Sequence, residues 1–273
     1  MSINSNEIVE LLQARLQEAE QELRLQWENP EHVSTRHFVL NDVLPPDVAE
    51  CIAQAFPADG KGFHQLNSFR ERKRTLAKLS RSEPVLNAVS VAFQDFRVIE
   101  AVARITGIQG LEGDRTFYAG GLSMMMPGDF LNPHIDNSHD GSRSRYRRIN
   151  ILYYLNEGWN IESGGNFELW DEKVTKAKTV ISGFNRLVVM ETNKRSWHSV
   201  SRVAANVPRR CCSNYYFSKD SPDGNDYFHV TSFTGRPGEI IKRIIGPIDN
   251  AVRYAVLKVF KSWVPGNERS DLS

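Results

Sequence analysis

The sequence contains only three cysteines, Cys51, Cys211 and Cys212, and no Cys-x-x-Cys pair. Two of the three are adjacent and the count is odd, which excludes a disulfide framework and fits a reducing compartment. No segment approaches the roughly 18 uninterrupted apolar residues of a membrane span. The first residues, MSINSNEIVELLQARLQEAEQELRLQW, lack a basic stretch followed by an apolar run and do not read as a secretory signal. Charge of one sign is missing too. Thirty-four Lys+Arg stand against 33 Asp+Glu, a formal charge of +1, so no nucleic-acid partner is expected. There is no internal repeat and no low-complexity block. These absences predict a cytoplasmic protein.

What is present is ordinary globular material. The 273 residues are 40% hydrophobic and 25% charged, enough to bury a core without staples. Residues 7–27 read as a helix, because Ile8, Leu11, Leu12, Leu16, Ala19 and Leu23 recur at three- and four-residue steps. Residues 1–30 are therefore expected to be an N-terminal helix that packs on the domain or pairs with a second copy. A short strand at 37–40 follows, then a helix with Pro45 and Pro46 in its first turn, running to about Ala55. The polar, basic segment 60–81 reads as a solvated face, and two helices are expected at 83–94 and 96–106. Between 115 and 217 the chain changes character. Short runs rich in Tyr, Val, Ile and Phe alternate with Gly, Asn, Asp and Pro, the rhythm of a sandwich or barrel. Strands are expected at 115–120, 122–126, 133–136, 148–155, 166–170, 179–182, 186–191, 198–203, 210–217 and 229–233. The expected division is a mainly β domain with preceding support helices (α+β) over 31–235 and a helical tail over 236–273, interrupted at Gly246-Pro247.

The residues able to do chemistry lie in the β region. In a strand, residues two apart point the same way, so His134 and Asp136 present an imidazole and a carboxylate side by side. His198 arrives on another expected strand. Two imidazoles and one carboxylate with open positions suit non-haem Fe(II), and zinc would accept the same donors. His139 and Asp140 lie in a turn, where their aim is poorer. Arg210 starts the strand RCCSNYYF. An arginine inside a barrel is costly unless an anion meets it, and a carboxylate would satisfy it with two parallel hydrogen bonds. Alternation lets only one of Arg209 and Arg210 point inward. Period two also puts Tyr154, Leu152, Asn150 and Arg148 on one face, where the Tyr154 hydroxyl could share that anion.

H-I-D at 134–136, Y-Y-L-N at 153–156, G-G-N-F-E-L-W at 164–170, W-H-S-V at 197–200 and R-C-C-S-N-Y-Y-F at 210–217 occur in this order. The combination resembles the prolyl-4-hydroxylase-like branch of the iron(II)/2-oxoglutarate-dependent oxygenases. The resemblance implies a mainly β fold with flanking helices, a double-stranded β-helix (jelly roll) core. It implies Fe(II) held by His134, Asp136 and His198, and 2-oxoglutarate as co-substrate with its distal carboxylate on Arg210 and Tyr154. It also implies O2-dependent hydroxylation of an unactivated C–H, with succinate and CO2 released. A carboxylate at 136 favours hydroxylation over halogenation, for which a small residue there would open a halide position.

The basic loop SRSRYRR at 142–148 should lie near the barrel mouth, with Arg148 the expected substrate contact. The expected substrate is a small molecule or glycoconjugate. The alternatives are a peptidyl-prolyl or amino-acid hydroxylase of the same superfamily, and a cupin-like metal enzyme or sensor that does not use 2-oxoglutarate. The last helix carries Ile248, Val252, Ala255, Val256, Val259, Phe260 and Trp263 as one apolar stripe with Arg253, Lys258 and Lys261 between them. Packing or a homodimer would bury that stripe. Peripheral contact with an anionic membrane surface is the second expectation for it.

Overall fold

The computed structural model describes residues 3–77, 82–114, 116–118 and 120–259. Parts of the strand expected at 115–120, and Phe260, Lys261 and Trp263 of the expected apolar stripe, lie outside the described residues.

The N-terminal periodicity forms two helices, α1 (Ser5–Glu18) and α2 (Glu20–Glu28), separated at Ala19. The Asn4 side chain accepts from the backbone N–H groups of Asn6 and Glu7, while the Glu7 carboxylate accepts from the Asn4 N–H. This reciprocal cap satisfies donors that a helix start leaves free. Strand β1 (His37–Asn41) follows, then α3 (Pro46–Gln54) with proline in its first turn. Strands β2 (His64–Asn67) and β3 (Glu71–Leu76) form a hairpin from the basic segment read as a solvated face. Helices α4 (Pro84–Ala92) and α5 (Phe96–Thr106) complete the support layer.

Next come β4 (Glu112–Gly113), β5 (Gly121–Met125), β6 (Phe130–Ile135), β7 (Tyr146–Tyr154), β8 (Phe167–Trp170) and β9 (Ala177–Val180). Strands β10 (Arg186–Glu191), β11 (His198–Val200), β12 (Arg209–Ser218) and β13 (Ser232–Phe233) and helix α6 (Ile240–Val259) finish the order. The main path of the sheet runs β1-β10-β7-β12-β5-β3-β6-β11-β8-β9, all antiparallel. It is a curled half-barrel flanked by helices, as in the double-stranded β-helix fold.

Both faces of the central strands are buried, so they read as nearly continuous apolar runs. Ile149, Ile151 and Tyr153 of β7, with Leu187 and Val189 of β10, pack against the helices and meet Leu12, Leu16, Val89 and Val98. Leu152, Tyr154, Val188 and Met190 point the other way, into the curl, with Phe167 and Leu169. Full burial of each such aliphatic side chain contributes roughly 1.5–3 kcal/mol, which holds the strands that carry the polar interior in one register.

Helix α6 runs unbroken through Pro247, where an interruption was expected. Packing on both sides of the proline supplies the reason. Arg243 donates to the Val174 carbonyl before it, and Asn250 grips the Phe233 backbone after it.

Candidate metal centre

His134 and His198 are directly opposed residues of the β6–β11 pair. Opposed side chains in an antiparallel pair share one face, and the two imidazole centroids lie 4.1 Å apart. Asp136 follows the end of β6. Its Oδ1 is 3.6 Å from His134 Nε2 and its Oδ2 is 3.8 Å from His198 Nε2. One ligand atom from each residue falls within 4.8 Å of the other two. Three residues separated by up to 64 positions are thus brought together by strand pairing.

Each imidazole is oriented from behind. His134 Nδ1 lies 3.0 Å from the Asn132 carbonyl oxygen, and His198 Nδ1 lies 2.9 Å from that of Ser196. A backbone acceptor at Nδ1 assigns the proton there and leaves Nε2 as the free lone pair, the usual preparation of a metal-binding histidine. Burial, and then the neighbouring His134 imidazole, push His198 down to about 3, so it is neutral near pH 7. Burial opposes ionisation of Asp136, but the Arg147 guanidinium beside it outweighs that and holds the carboxyl well below its usual range. Its buried Oδ2 makes no hydrogen bond, although Arg147 Nη1 lies 3.3 Å away. Two imidazoles with Nε2 turned toward the site, an ionised carboxylate and an unsatisfied buried acceptor are the donor set that a ferrous ion takes.

Phe233 of β13 stacks on His134 at 5.2 Å, and Phe167 of β8 lies 5.8 Å from His198. These rings shield the imidazoles from water. His139 and Asp140 do not join the cluster. His139 Nδ1 meets Ser138 Oγ at 2.7 Å, and Asp140 accepts from Ser142, Ser144 and Arg145 in its own loop.

Strand β12 divides its two arginines between the two faces of the sheet. Arg210 points to the helix side, and its Nη1 donates to the Ala53 carbonyl at 3.2 Å. Arg209 points inward and is buried. The reading that placed Arg210 inside is therefore corrected. The parity follows from the neighbours: Cys212 and Tyr216 belong to the helix-facing core, whereas Cys211 lies in the inner cluster. Tyr154, paired with Cys211, does face inward as expected. The Arg209 guanidinium lies 4.8 Å from the Tyr154 ring centre. Arg209 Nε donates to Ser182 Oγ at 3.3 Å, and Nη1 lies 3.7 Å from Met125 Sδ. No carboxylate among the described residues pairs with Arg209. The buried Tyr154 hydroxyl has no hydrogen-bond partner, and burial pushes its phenol up, so it remains a donor.

The glycines at 164 and 165 make room for this arrangement. Both have positive φ, and a Cβ on Gly165 would come within 3.0 Å of Arg209 Cδ. Gly164 lies tighter still, since its Cβ would sit 2.1 Å from the Arg202 carbonyl oxygen.

Arg148 is displaced from its expected place by a bulge. On β7, Ile149 opposes Tyr216 and Arg147 opposes Phe217, so Arg148 is the extra residue. One extra residue reverses which side chains face inward beyond it. Arg148 Nη1 turns instead to Ser218 Oγ and the Asp220 carbonyl oxygen, at 2.8 and 3.2 Å. Arg147 takes the inner position, buried beside Asp136 with its guanidinium 4.2 Å from the Tyr215 ring centre. The alternation pattern had no signal for this residue, because a bulge leaves no mark in apolar spacing.

Comparisons with known proteins agree with this geometry. No curated protein matches the sequence. Among solved structures, the fold is similar to a prolyl hydroxylase from Trichoplax adhaerens in complex with a hypoxia inducible factor peptide fragment. That match has a TM-score of 0.54 and 20% identity, over 76% of this chain and 93% of that one. A Pseudomonas putida prolyl-4-hydroxylase matches with a TM-score of 0.52 and 17% identity, over 77% and 100% of the two chains. The non-heme alpha ketoglutarate dependent carbocyclase SnoK from nogalamycin biosynthesis matches with a TM-score of 0.55 and 9% identity, over 82% and 90%. Residues 120–218 match the 2OG-Fe(II) oxygenase superfamily, a stretch that spans both imidazoles, the carboxylate between them and the inward arginine of β12. Over that stretch the chain is similar to the 2OG-Fe(II) oxygenase superfamily, and the match together with the His134–Asp136–His198 cluster implies Fe(II) and 2-oxoglutarate as metal and co-substrate.

Proposed function

We propose that the protein hydroxylates an unactivated C–H of a small-molecule or glycoconjugate substrate. The observation that carries this reading is the occupancy of β6, the strand that bears His134. One edge pairs with β11 between Leu131 and His134. The other pairs with β3 at Phe130 and Leu131 and with β13 at His134 and Ile135. An extended peptide commonly binds by adding a strand to an open sheet edge. Beside this metal centre both edges are already taken by the chain itself. The backbone of Ser138 continues the coverage, donating to the His229 carbonyl oxygen at 3.1 Å. A compact substrate needs no such edge.

When bound, ferrous iron and 2-oxoglutarate supply O2-dependent oxidation of a C–H bond with release of succinate and CO2. The protein's own groups do the positioning. His134, Asp136 and His198 would hold the metal, three protein donors that would leave room for the co-substrate. Arg209 and Tyr154 meet the distal carboxylate of 2-oxoglutarate, the buried cation and the unsatisfied phenol each gaining the partner they lack. Arg147 keeps Asp136 ionised. The same guanidinium, with its Nε unpaired, offers an anionic substrate group a donor beside the metal, the role first expected of Arg148.

The test is a substrate screen with Fe(II)-loaded protein, reading succinate above the rate without substrate. Small polar molecules and glycoconjugates should raise succinate and gain one oxygen by mass spectrometry. Coupled turnover with proline-containing peptides, and none with the small-molecule set, would refute the substrate class while leaving the chemistry intact.

A further inference from the structure

Helix α6 is amphipathic, and it is mounted with its apolar side outward. Its polar residues face the domain. Arg70 Nη1 meets Asp249 at 3.1 Å, and Arg253 Nε meets the same carboxylate at 2.9 Å. Arg243 donates to the carbonyl oxygens of Lys173 and Val174. Asn250 accepts from the Phe233 N–H and donates to its carbonyl, at 2.9 and 3.0 Å. Gly246 lies against that same carbonyl oxygen, which a Cβ would approach to 2.4 Å. The apolar residues are left in solvent. Ile240, Ile241, Ile244, Ile248 and Val252 are each more than half exposed, Ile241 by 73%. At about 100° per residue these positions, with Ile245 and Val256, fill an arc of about 160°. The stripe runs from Ile240 to Val256 and is therefore about 24 Å long. Exposed apolar patches of this extent are uncommon on soluble monomers and mark interaction surfaces.

We propose that α6 lies in the plane of an acidic phospholipid bilayer, with this stripe in the acyl–headgroup boundary. Two features favour lipid over a second copy of the chain. First, a pair of helices buries a narrow seam, whereas an arc of about 160° is wider than one seam covers. A bilayer covers the whole arc. Second, the charged side chains that set register in a helix pair flank the seam. Here Arg243, Asp249 and Arg253 are turned inward and committed to the domain. Around the helix Lys242 pairs with Glu239, Arg70 and Arg253 share the one carboxylate of Asp249, and Arg243 meets only backbone carbonyls, so these charges add up to an excess of positive charge. Their sum matches the negative potential of acidic headgroups. The anchorage has a consequence for the metal centre. Asn250 fixes Phe233, and Phe233 stacks on His134, so a bilayer under α6 lies beside the metal-bearing strand. The membrane inference stands on α6 alone and does not depend on the hydroxylase reading.

The experiment is flotation of the full-length protein with phosphatidylcholine vesicles, with and without about 30% phosphatidylglycerol. Wild type should float with the acidic vesicles, less so with phosphatidylcholine alone and less so as salt rises. The double variant Ile241→Glu/Ile248→Glu should lose at least about tenfold in bound fraction, with an unchanged Tm because both side chains are already in solvent. Ile161→Glu, equally apolar and 52% exposed but outside the helix, should float as wild type does. Failure of wild type to float with either vesicle overturns the proposal, as does undiminished flotation of the double variant. A dimer in analytical ultracentrifugation that the double variant dissociates, with no vesicle binding, assigns the stripe to a second copy and overturns it too.

Discussion

Replacing Arg209 by methionine should weaken co-substrate binding by at least about 100-fold without harming the unliganded fold. In the structure this guanidinium is buried, with only Ser182 Oγ and Met125 Sδ as side-chain contacts for its N–H groups. A buried charge with so little compensation is costly, and replacing it with an apolar residue of similar reach is often neutral or stabilising. With 2-oxoglutarate bound, Arg209 gains two charge-assisted hydrogen bonds, and removing one partner of such a buried pair costs about 3–5 kcal/mol. At 1.4 kcal/mol per tenfold, that is about two to three and a half orders of magnitude in Kd. The assay is thermal unfolding with Mn(II) in place of Fe(II) and increasing 2-oxoglutarate. At a concentration about 100 times the wild-type Kd, linkage gives wild type about 2.7 kcal/mol of stabilisation and a variant weakened about 100-fold only about 0.4 kcal/mol. For a chain of this size that corresponds to a Tm rise of about 5 °C or more against about 1 °C. Arg210→Ala is the control. It removes one hydrogen bond to Ala53, costs about 1 kcal/mol, and should keep the full 2-oxoglutarate response. If Arg209→Met keeps the response and Arg210→Ala loses it, the inward assignment is wrong.

Two further outcomes follow from the carboxylates just beyond β6. Asp136→Ala should weaken metal binding by at least about 100-fold and should also destabilise the apo-protein by about 3–5 kcal/mol, because Arg147 is left buried and unpaired. Adding Arg147→Met should restore the apo Tm but not metal binding, measured by isothermal titration with Mn(II). Recovery of metal binding in the double variant would contradict the ligand role of Asp136. Asp140 supplies a pH dependence. Burial opposes its ionisation, but its hydrogen bonds from Arg145, Ser144 and Ser142 outweigh that and lower it from the ordinary 3.8. Its contribution is therefore present above the unfolded value and lost as pH falls through the lower folded one. Asp140→Asn should have a lower Tm than wild type at pH 7, with the difference closing below pH 3.8. A difference that stays constant through the acid range would show that the charge is not what holds the loop.

The metal triad was legible in the sequence because its logic is local. Period two puts residues 134 and 136 on one side of a strand, and neutral imidazole with carboxylate is a donor set chosen by chemistry rather than by fold. The turn residues and apolar runs between 115 and 217 likewise carry their own structure, since Gly, Pro and Asn punctuate wherever they stand. The helix periodicity at 7–27 survived for the same reason, with only a break at Ala19. The hairpin at 64–76 did not show, because FRERKRT has no apolar alternation. Its strands are defined by pairing with β5 and β6, which is long-range. The interior of the curl was decided by tertiary structure alone. Which of Arg209 and Arg210 faces inward depends on the side of β12 that the helices cover. Arg147 replaces Arg148 because a bulge on β7 inserts one residue, and a single insertion exchanges the two faces of everything beyond it. The composition of α6 declared an amphipathic helix. Only the packed structure determined that its charges hold the domain and its isoleucines meet the outside, because the sign of an amphipathic face is set by what it packs against.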